Sequence, residues 1–203
     1  MLTGAKPLFL LLVQSRGTKA QVGFVVVALA SAWFAGTQLQ GVPLVESRSV
    51  FLVSWLSAVP GLYATGLLAP PSGREATLPR MPLGMHRLCW VLGLAALPVL
   101  LMAPMVLLQD GDAWRLLWFA RNHLLVLGAG LLSAALLPPS AAWAPGAAYV
   151  LFSLFLGTSD EAGTAQWWAL PNHLPDQWSA WLCAVVVFVC GAGMSVRRPA
   201  RAS

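Results

Sequence analysis

The chain has 203 residues, of which 58% are hydrophobic and only 9% are charged. Soluble domains carry about a quarter of their residues as Asp, Glu, Lys or Arg, so the composition excludes a water-soluble fold and predicts an integral membrane protein. The formal net charge of +5 does not indicate a nucleic-acid partner, because the basic residues are not clustered into a stripe.

Basic residues flank a short apolar run near the start of the chain, at Lys6, Arg16 and Lys19. Arg16 and Lys19 follow the run and stand where a secretory signal would be cut, and no small-residue cleavage site is present, so we expect no cleaved signal. We predict instead an interfacial helix over about residues 5–18, with these side chains near the lipid headgroups.

Apolar segments long enough to approach the roughly 20 residues of a membrane span follow. They cover about residues 20–38, 49–68, 88–108, 116–137, 142–157 (the shortest) and 179–196. Membrane helices tolerate prolines such as Pro60, Pro98 and Pro104 when neighbours satisfy the freed carbonyls. The fold class is therefore predicted as all-α, with six transmembrane helices in a single domain over residues 1–203.

Loop charges predict the orientation of these helices, since basic residues favour the cytoplasmic side. The side that holds both termini carries a single acid, Glu75, and these basic residues: Lys6, Arg16, Lys19, Arg74, Arg80, Arg87, Arg197, Arg198 and Arg201. The acids of the opposite side are Glu46, Asp110, Asp112, Asp160, Glu161 and Asp176. We predict a multi-pass protein of the cell (cytoplasmic) membrane with both termini cytoplasmic, and the Ala- and Arg-rich composition favours a bacterial source.

Tryptophans gather at the predicted outer ends of the spans, where their rings favour the membrane interface. The residues concerned are Trp114, Trp118, Trp167, Trp168, Trp178 and Trp181. The connection before the last span, about residues 158–178, is partly apolar and would aggregate if it floated free in water. We predict that it is a re-entrant outer segment, with short helices broken at Pro171 and Pro175.

Catalytic and cofactor motifs do not occur. No glycine-rich nucleotide loop, zinc motif or nucleophile elbow is found, so we predict no catalytic residue, no metal and no cofactor bound by this chain. The glycines at 128, 130, 191 and 193 lie inside apolar segments and predict close helix packing.

Polar side chains at membrane depth form one group of candidate functional residues: Arg121, Asn122 and His123 in the fourth span, and His173 in the outer connection. They are explained either by snorkelling and helix-to-helix hydrogen bonds, or by an outer cavity or substrate path, because ionisable groups at that depth are costly. In the second interpretation Trp167 and Trp168 also belong to the path.

The loop over about residues 69–87 carries a recognisable pattern. Glu75, the pair Thr77-Leu78, the pair Pro82-Leu83 and Arg87 occupy the places of an acid, Thr-Leu, Pro-Leu and a basic residue before the third span. This segment resembles the same loop in ABC-transporter permeases of the second exporter type, which include drug, bacteriocin and polysaccharide exporters. The predicted architecture extends the resemblance along most of the chain.

The resemblance implies a permease subunit of an exporter for an amphipathic or hydrophobic substrate, a peptide, drug or lipid-like molecule. The loop would form an ATPase-coupling element, comprising Arg74, Glu75, Thr77, Leu78, Arg80, Pro82, Leu83 and Arg87. ATP and Mg would bind a separate ATPase subunit, present in two copies, and a second permease chain, the same or different, would complete the assembly. Otherwise these arginines only set the topology.

Two other functions remain open from the residues alone. One is a membrane-embedded enzyme that uses Arg121, His123 and His173 on an amphipathic substrate. The other is a non-catalytic immunity or scaffold protein that occupies a membrane partner. The enzyme requires His123 and needs no ATPase, whereas the scaffold tolerates changes in the loop such as Glu75→Ala.

Overall fold

The computed structural model describes residues 18–38, 56–65, 83–108, 113–138, 141–157, 165–174 and 176–197. This part of the chain is built of helices: α1 (Thr18–Gln38), α2 (residues 56–65), α3 (Leu83–Leu108), α4 (Ala113–Leu136), α5 (Ala144–Leu156) and α6 (Trp178–Arg197). A short 3-10 turn, Leu170–Asn172, precedes α6. The predicted all-α class is thus confirmed over the described residues.

Three of these helices, α3, α4 and α6, are long and apolar enough to cross a membrane. The chain is therefore a membrane protein by the length and composition of its helices. Shorter apolar helices lie at residues 20–34 and in α5. The predicted interfacial helix falls almost entirely outside the described residues, and so does the loop as far as Pro82.

The described helix ends agree with the apolar segments to within a few residues except at the start of α3, and both ends of the predicted segment 49–68 lie outside the described residues. That helix begins at Leu83, directly after Pro82 in the sequence, and not near residue 88 as predicted. The predicted start lies after the charged Arg87, but this side chain is buried and bonded to the end of α6, so its charge does not interrupt the helix. The last residues of the predicted coupling loop, including Arg87, are consequently helical.

Helix α4 is the centre of the bundle. It contributes Leu127 and Leu131 to one apolar cluster, Trp118 and Phe119 to a second, and Val126 to a third. In an apolar stretch of 18 residues of α4, two-thirds of the residues are buried, against 33% of such a stretch in α3 and 22% in α6. The polar residues Arg121, Asn122 and His123 of α4 are among its buried positions and face protein rather than the surroundings.

Glycines allow α4 to meet α6 at backbone contact. A Cβ on Gly128 would lie 2.6 Å from the Phe188 backbone, and a Cβ on Gly191 would lie 2.6 Å from the Gly128 carbonyl oxygen. Close packing was predicted at these positions and is confirmed. It does not extend to Gly193, which has no neighbour of this kind within 4 Å.

Contacts between helix termini define two ends of the bundle. Arg87, near the start of α3, donates from Nη1 to the Ser195 carbonyl near the end of α6, at 3.4 Å. We call this the basic end, since Arg197 closes α6 there. Helices α4 and α6 both begin at the opposite end, with Trp114 and Trp178, which we call the aromatic end.

The remaining helices pack on this frame in alternating directions. Gly61 of α2 packs against Val126 and Leu127, and Thr65 packs against Gly130, so α2 runs alongside α4 in the same direction. The Tyr63 hydroxyl donates to the Ala20 carbonyl at 3.4 Å, which brings the start of α1 to the basic end. Helices α1 and α3 therefore start at the basic end, and α2 and α4 run in the opposite direction.

Candidate functional site around Arg121

Arg121 lies in α4 with its side chain fully buried and surrounded by oxygen atoms. Nη1 donates to the Leu174 carbonyl at 2.9 Å, and Nη2 donates to the His173 carbonyl at 2.7 Å and to that of Pro171 at 3.4 Å. Nε and Nη2 donate to Asn122 Oδ1 at 3.2 and 3.1 Å. These partners are neutral dipoles, and charge-assisted hydrogen bonds to them offset part of the cost of burying the guanidinium.

Two neighbours on the same face of α4 support this arrangement. Trp118 Nε1 donates to the Pro171 carbonyl at 2.8 Å, and Asn122 Nδ2 donates to the same oxygen at 3.1 Å. Residues 118, 121 and 122 have the i, i+3, i+4 spacing that places side chains side by side on a helix. Together they supply N–H donors to backbone that is not part of an α-helix.

That backbone is the connecting segment, residues 165–174, which precedes α6. It is also bound to α5 on its other side. The Tyr149 hydroxyl donates to the Trp168 carbonyl at 2.7 Å and accepts from the Leu170 N–H at 3.2 Å. One turn further along α5, the Ser153 carbonyl accepts from Asn172 Nδ2.

Gly157, just beyond the end of α5, permits this docking. A Cβ at this position would collide with Ala169 and would lie 2.7 Å from Asn172 Nδ2. The Gln166 N–H donates to the Gly157 carbonyl at 2.8 Å. The connecting segment thus starts its path directly against the end of α5.

His173 belongs to the connecting segment by both its backbone and its side chain. Its carbonyl accepts from Arg121, its Nε2 lies 2.9 Å from the Gln166 carbonyl, and its Nδ1 contacts Gln177 Oε1. The imidazole therefore ties the beginning of the segment to the residue before α6. The contacts given for the His173 ring are with Gln166 and Gln177, within the same stretch of chain.

His123 lies elsewhere, although only two positions separate it from Arg121. Its ring is fully buried, its Nε2 is 3.0 Å from the Leu94 carbonyl of α3, and it stacks with Phe119 at 6.3 Å between ring centroids. Successive helical residues are about 100° apart, so positions 121 and 123 point to different neighbours. The structure groups Arg121, Asn122 and His173 and separates His123 from them.

The two tryptophans of the predicted substrate path, Trp167 and Trp168, lie in the connecting segment. Trp167 is 82% exposed, and Trp168 is partly buried and contributes its carbonyl to Tyr149. A substrate path through these residues stays a prediction. By contrast Trp118, which was expected at the membrane interface, is fully buried and acts as a hydrogen-bond donor.

Of the predicted coupling loop, Arg74, Glu75, Thr77, Leu78, Arg80 and Pro82 lie outside the described residues. Leu83 is the first residue of α3, and Arg87 is 5% exposed and bound to the end of α6. The coupling role of these residues stays a prediction.

Sequence reasoning selected Arg121, Asn122 and His173 but missed Trp118 and Tyr149. The spacing of residues 118, 121 and 122 would have indicated one polar face on an otherwise apolar helix. In the described ranges no group of three or more His, Cys, Asp or Glu side chains could hold a metal ion. No family model, curated protein or solved structure matches the chain.

Proposed function

We propose that the chain is the membrane-spanning permease subunit of an ATP-driven ABC exporter. A separate ATPase subunit binds ATP and Mg in two copies, and a second permease chain completes the assembly. The substrate is amphipathic or hydrophobic, because the helices offer apolar walls and the polar side chains of α4 are turned into the bundle. The loop over residues 69–87 docks on the ATPase.

The observation that carries the proposal is the connecting segment held by Arg121 immediately before the last helix. Permeases of the second exporter type, which the loop resembles, have outer re-entrant helices at this place in the chain. The segment here combines a 3-10 turn with non-helical backbone. Such backbone is tolerated at membrane depth only where protein groups satisfy it.

Helix lengths support a re-entrant position for this segment. Helix α5 has 13 residues, which extend about 20 Å, whereas the hydrocarbon core is about 30 Å thick. The connecting segment packs alongside α5, against Tyr149 in the middle of the helix and, through Asn172, against the Ser153 carbonyl. It thus returns beside the helix, as a re-entrant segment does. Arg121 follows the first residue of α4 by eight positions, or about 12 Å, so the carbonyls that it binds lie below the headgroups.

Six spans with both termini cytoplasmic follow from the same proposal. The basic end of the bundle, with Arg87 and Arg197, faces the cytoplasm, where basic residues concentrate. Asp176 and the exposed rings of Trp114 and Trp178 then lie at the outer face. The coupling loop, which ends at Arg87, is thereby on the side where a soluble ATPase can reach it.

The test is purification of the tagged chain from its native membrane in mild detergent, with mass spectrometry of the accompanying proteins. We expect an ABC ATPase in stoichiometric amount. A chain that purifies alone, even after cross-linking, contradicts the proposal and favours the membrane enzyme or the scaffold.

A pair of matched variants then tests the loop. The resemblance implies that the loop seats in an apolar groove of the ATPase subunit. Leu78→Asp with Leu83→Asp should abolish stimulation of the ATPase, because charged side chains are costly to bury in such a groove. Leu44→Asp with Val45→Asp makes the same chemical change in the predicted loop on the opposite face and should leave stimulation intact. Equal behaviour of the two double variants would exclude the loop as the coupling element.

A further inference from the structure

Arg87 joins the end of the proposed coupling loop to the last helix. Its side chain is 5% exposed, and its Nη1 reaches the Ser195 carbonyl, two residues before the end of α6. The final carbonyls of a helix have no partner within the helix and carry partial negative charge. A guanidinium at this point therefore binds the end of α6 by both hydrogen bonding and charge.

Packing at the same place brings the two backbones together. A Cβ built on Gly84, in the first turn of α3, would lie 3.2 Å from Val196 Cγ1 and 3.7 Å from the Val196 carbonyl oxygen. The helix that leaves the loop is thus in direct contact with the last turn of α6. The start of α3 therefore offers a direct route by which a displacement of the loop can act on α6.

Helix α6 is in turn rigidly attached to α4. At the crossing of Gly128 and Gly191, backbone lies against backbone, and close-packed interiors transmit strain because they cannot be compressed. At the aromatic end, Arg121 of α4 binds the carbonyls of His173 and Leu174, a few residues before α6 begins. The connecting segment is therefore fixed to α4 by hydrogen bonds and to α6 by the chain itself.

We propose that α4, α6 and the connecting segment move as one body, and that Arg87 is the positioning residue through which the coupling loop drives this body. Nucleotide binding at the cytoplasmic face then displaces the connecting segment at the opposite face. This inference rests on the proposed function and adds to it the route by which the loop controls the outer side. A ligand shifts such an element only by binding its two states differently, and here the nucleotide supplies that difference through the ATPase.

The test uses the reconstituted complex of this chain with its ATPase, with the cysteines at 89, 183 and 190 replaced by alanine. Trp167→Cys, at a position 82% exposed in the connecting segment, carries an environment-sensitive fluorophore. The emission of this sample is compared without nucleotide and with ATP and vanadate. In a separate sample without the fluorophore, the rate at which the free thiol of Trp167→Cys reacts with a membrane-impermeant maleimide is compared under the same two conditions. We expect a nucleotide-dependent change of severalfold in labelling rate.

Arg87→Gln should abolish this change while the ATPase remains bound at the same stoichiometry, and Arg87→Lys should restore part of it. Arg197→Gln is the matched control, because it removes one positive charge from an exposed position in the last turn of α6 and should leave the response intact. A response that persists in Arg87→Gln, or that is missing in the parent complex with the ATPase bound, overturns the inference.

A cross-link gives a second reading if Arg87→Gln fails to assemble. A Cβ built on Gly84 lies 3.2 Å from Val196 Cγ1, so the pair Gly84→Cys and Val196→Cys is adjacent, and its oxidation to a disulfide would fix α3 to α6. Because the loop is proposed to drive α6 through the contact between the start of α3 and the end of α6, the cross-linked complex should keep the nucleotide response at Trp167→Cys. Loss of the response on oxidation, with recovery on reduction, overturns the inference. A chain without any bound ATPase contradicts the proposed function instead, so the two failures are distinct.

Discussion

His123 Nε2 lies 3.0 Å from the carbonyl oxygen of Leu94, four residues before Pro98 in α3. In an α-helix the N–H of residue 98 would bind this oxygen, but proline has no N–H. A neighbouring side chain must supply the donor within a membrane bundle, and the His123 imidazole does so. His123 and Pro98 are therefore complementary residues on two different helices.

Removal of the imidazole should be costly only while Pro98 is present. His123→Leu leaves the Leu94 carbonyl buried without a donor, at a cost of about 1–3 kcal/mol. In the Pro98→Ala background the helix supplies its own N–H, and the same change should cost much less. A double-mutant cycle on unfolding in detergent should show coupling of about 1 kcal/mol or more.

Pro104→Ala provides the control for this cycle. It also removes a proline from α3, but the carbonyl that regains a backbone donor is that of Leu100, whose side chain is 65% exposed, and not that of Leu94, which His123 binds. The effects of Pro104→Ala and His123→Leu should add. Non-additivity equal to that of the Pro98 cycle would contradict the pairing.

Arg121→Met should release the connecting segment. The change removes the donors to the carbonyls of His173 and Leu174, whereas the Pro171 carbonyl keeps its bonds from Trp118 and Asn122. Two buried acceptors without a partner should cost about 1–3 kcal/mol each. Limited proteolysis should then cut near residues 165–174, where the parent protein resists. Arg121→Lys should be intermediate, because an ammonium is a compact donor without the guanidinium fork.

Arg115→Met controls for the loss of one positive charge from the first turns of α4. Arg115 is partly exposed and belongs to the same helix. Its replacement should leave the protease resistance of the connecting segment unchanged. Cleavage that appears equally in both variants would assign the effect to α4 as a whole.

Tyr149→Phe should loosen the other side of the connecting segment while it leaves the packing of the ring unchanged. The hydroxyl bonds the Trp168 carbonyl and the Leu170 N–H, so its loss should cost about 1–2 kcal/mol and speed hydrogen exchange of the Leu170 amide. Tyr63→Phe makes the same change at a ring that is 37% exposed and only weakly bonded, at 3.4 Å. It should have little effect on stability or on exchange at Leu170.

The sequence predicted the helices closely because a membrane span leaves a long apolar run, as α6 shows at Trp178–Arg197 against the predicted 179–196. The sequence did not predict the start of α3. The predicted helix begins after Arg87, because a charged residue interrupts the apolar run, but in the structure Arg87 lies within the helix and donates to the Ser195 carbonyl of α6. The convergence of Arg121 with His173 depends on how the connecting segment folds back, which local patterns do not encode. The sequence could have predicted half of the His123–Leu94 bond, because Pro98 leaves the Leu94 carbonyl without its usual backbone donor. It could not predict that His123 would supply the replacement.

Substitution by alanine should have different effects on stability at Gly191 and at Gly193, near the end of α6. A Cβ on Gly191 would lie 2.6 Å from the Gly128 carbonyl oxygen and 2.8 Å from Leu131 Cβ, so Gly191→Ala must push α4 and α6 apart. Overpacking of this kind costs about 1–3 kcal/mol. Gly193 has open space around it, so Gly193→Ala should be neutral or stabilising by up to about 1 kcal/mol, because alanine is the better helix former. Thermal unfolding midpoints in detergent should fall for the first variant and hold or rise for the second. A fall of equal size in both would mean that α6 packs with its Gly193 face against protein.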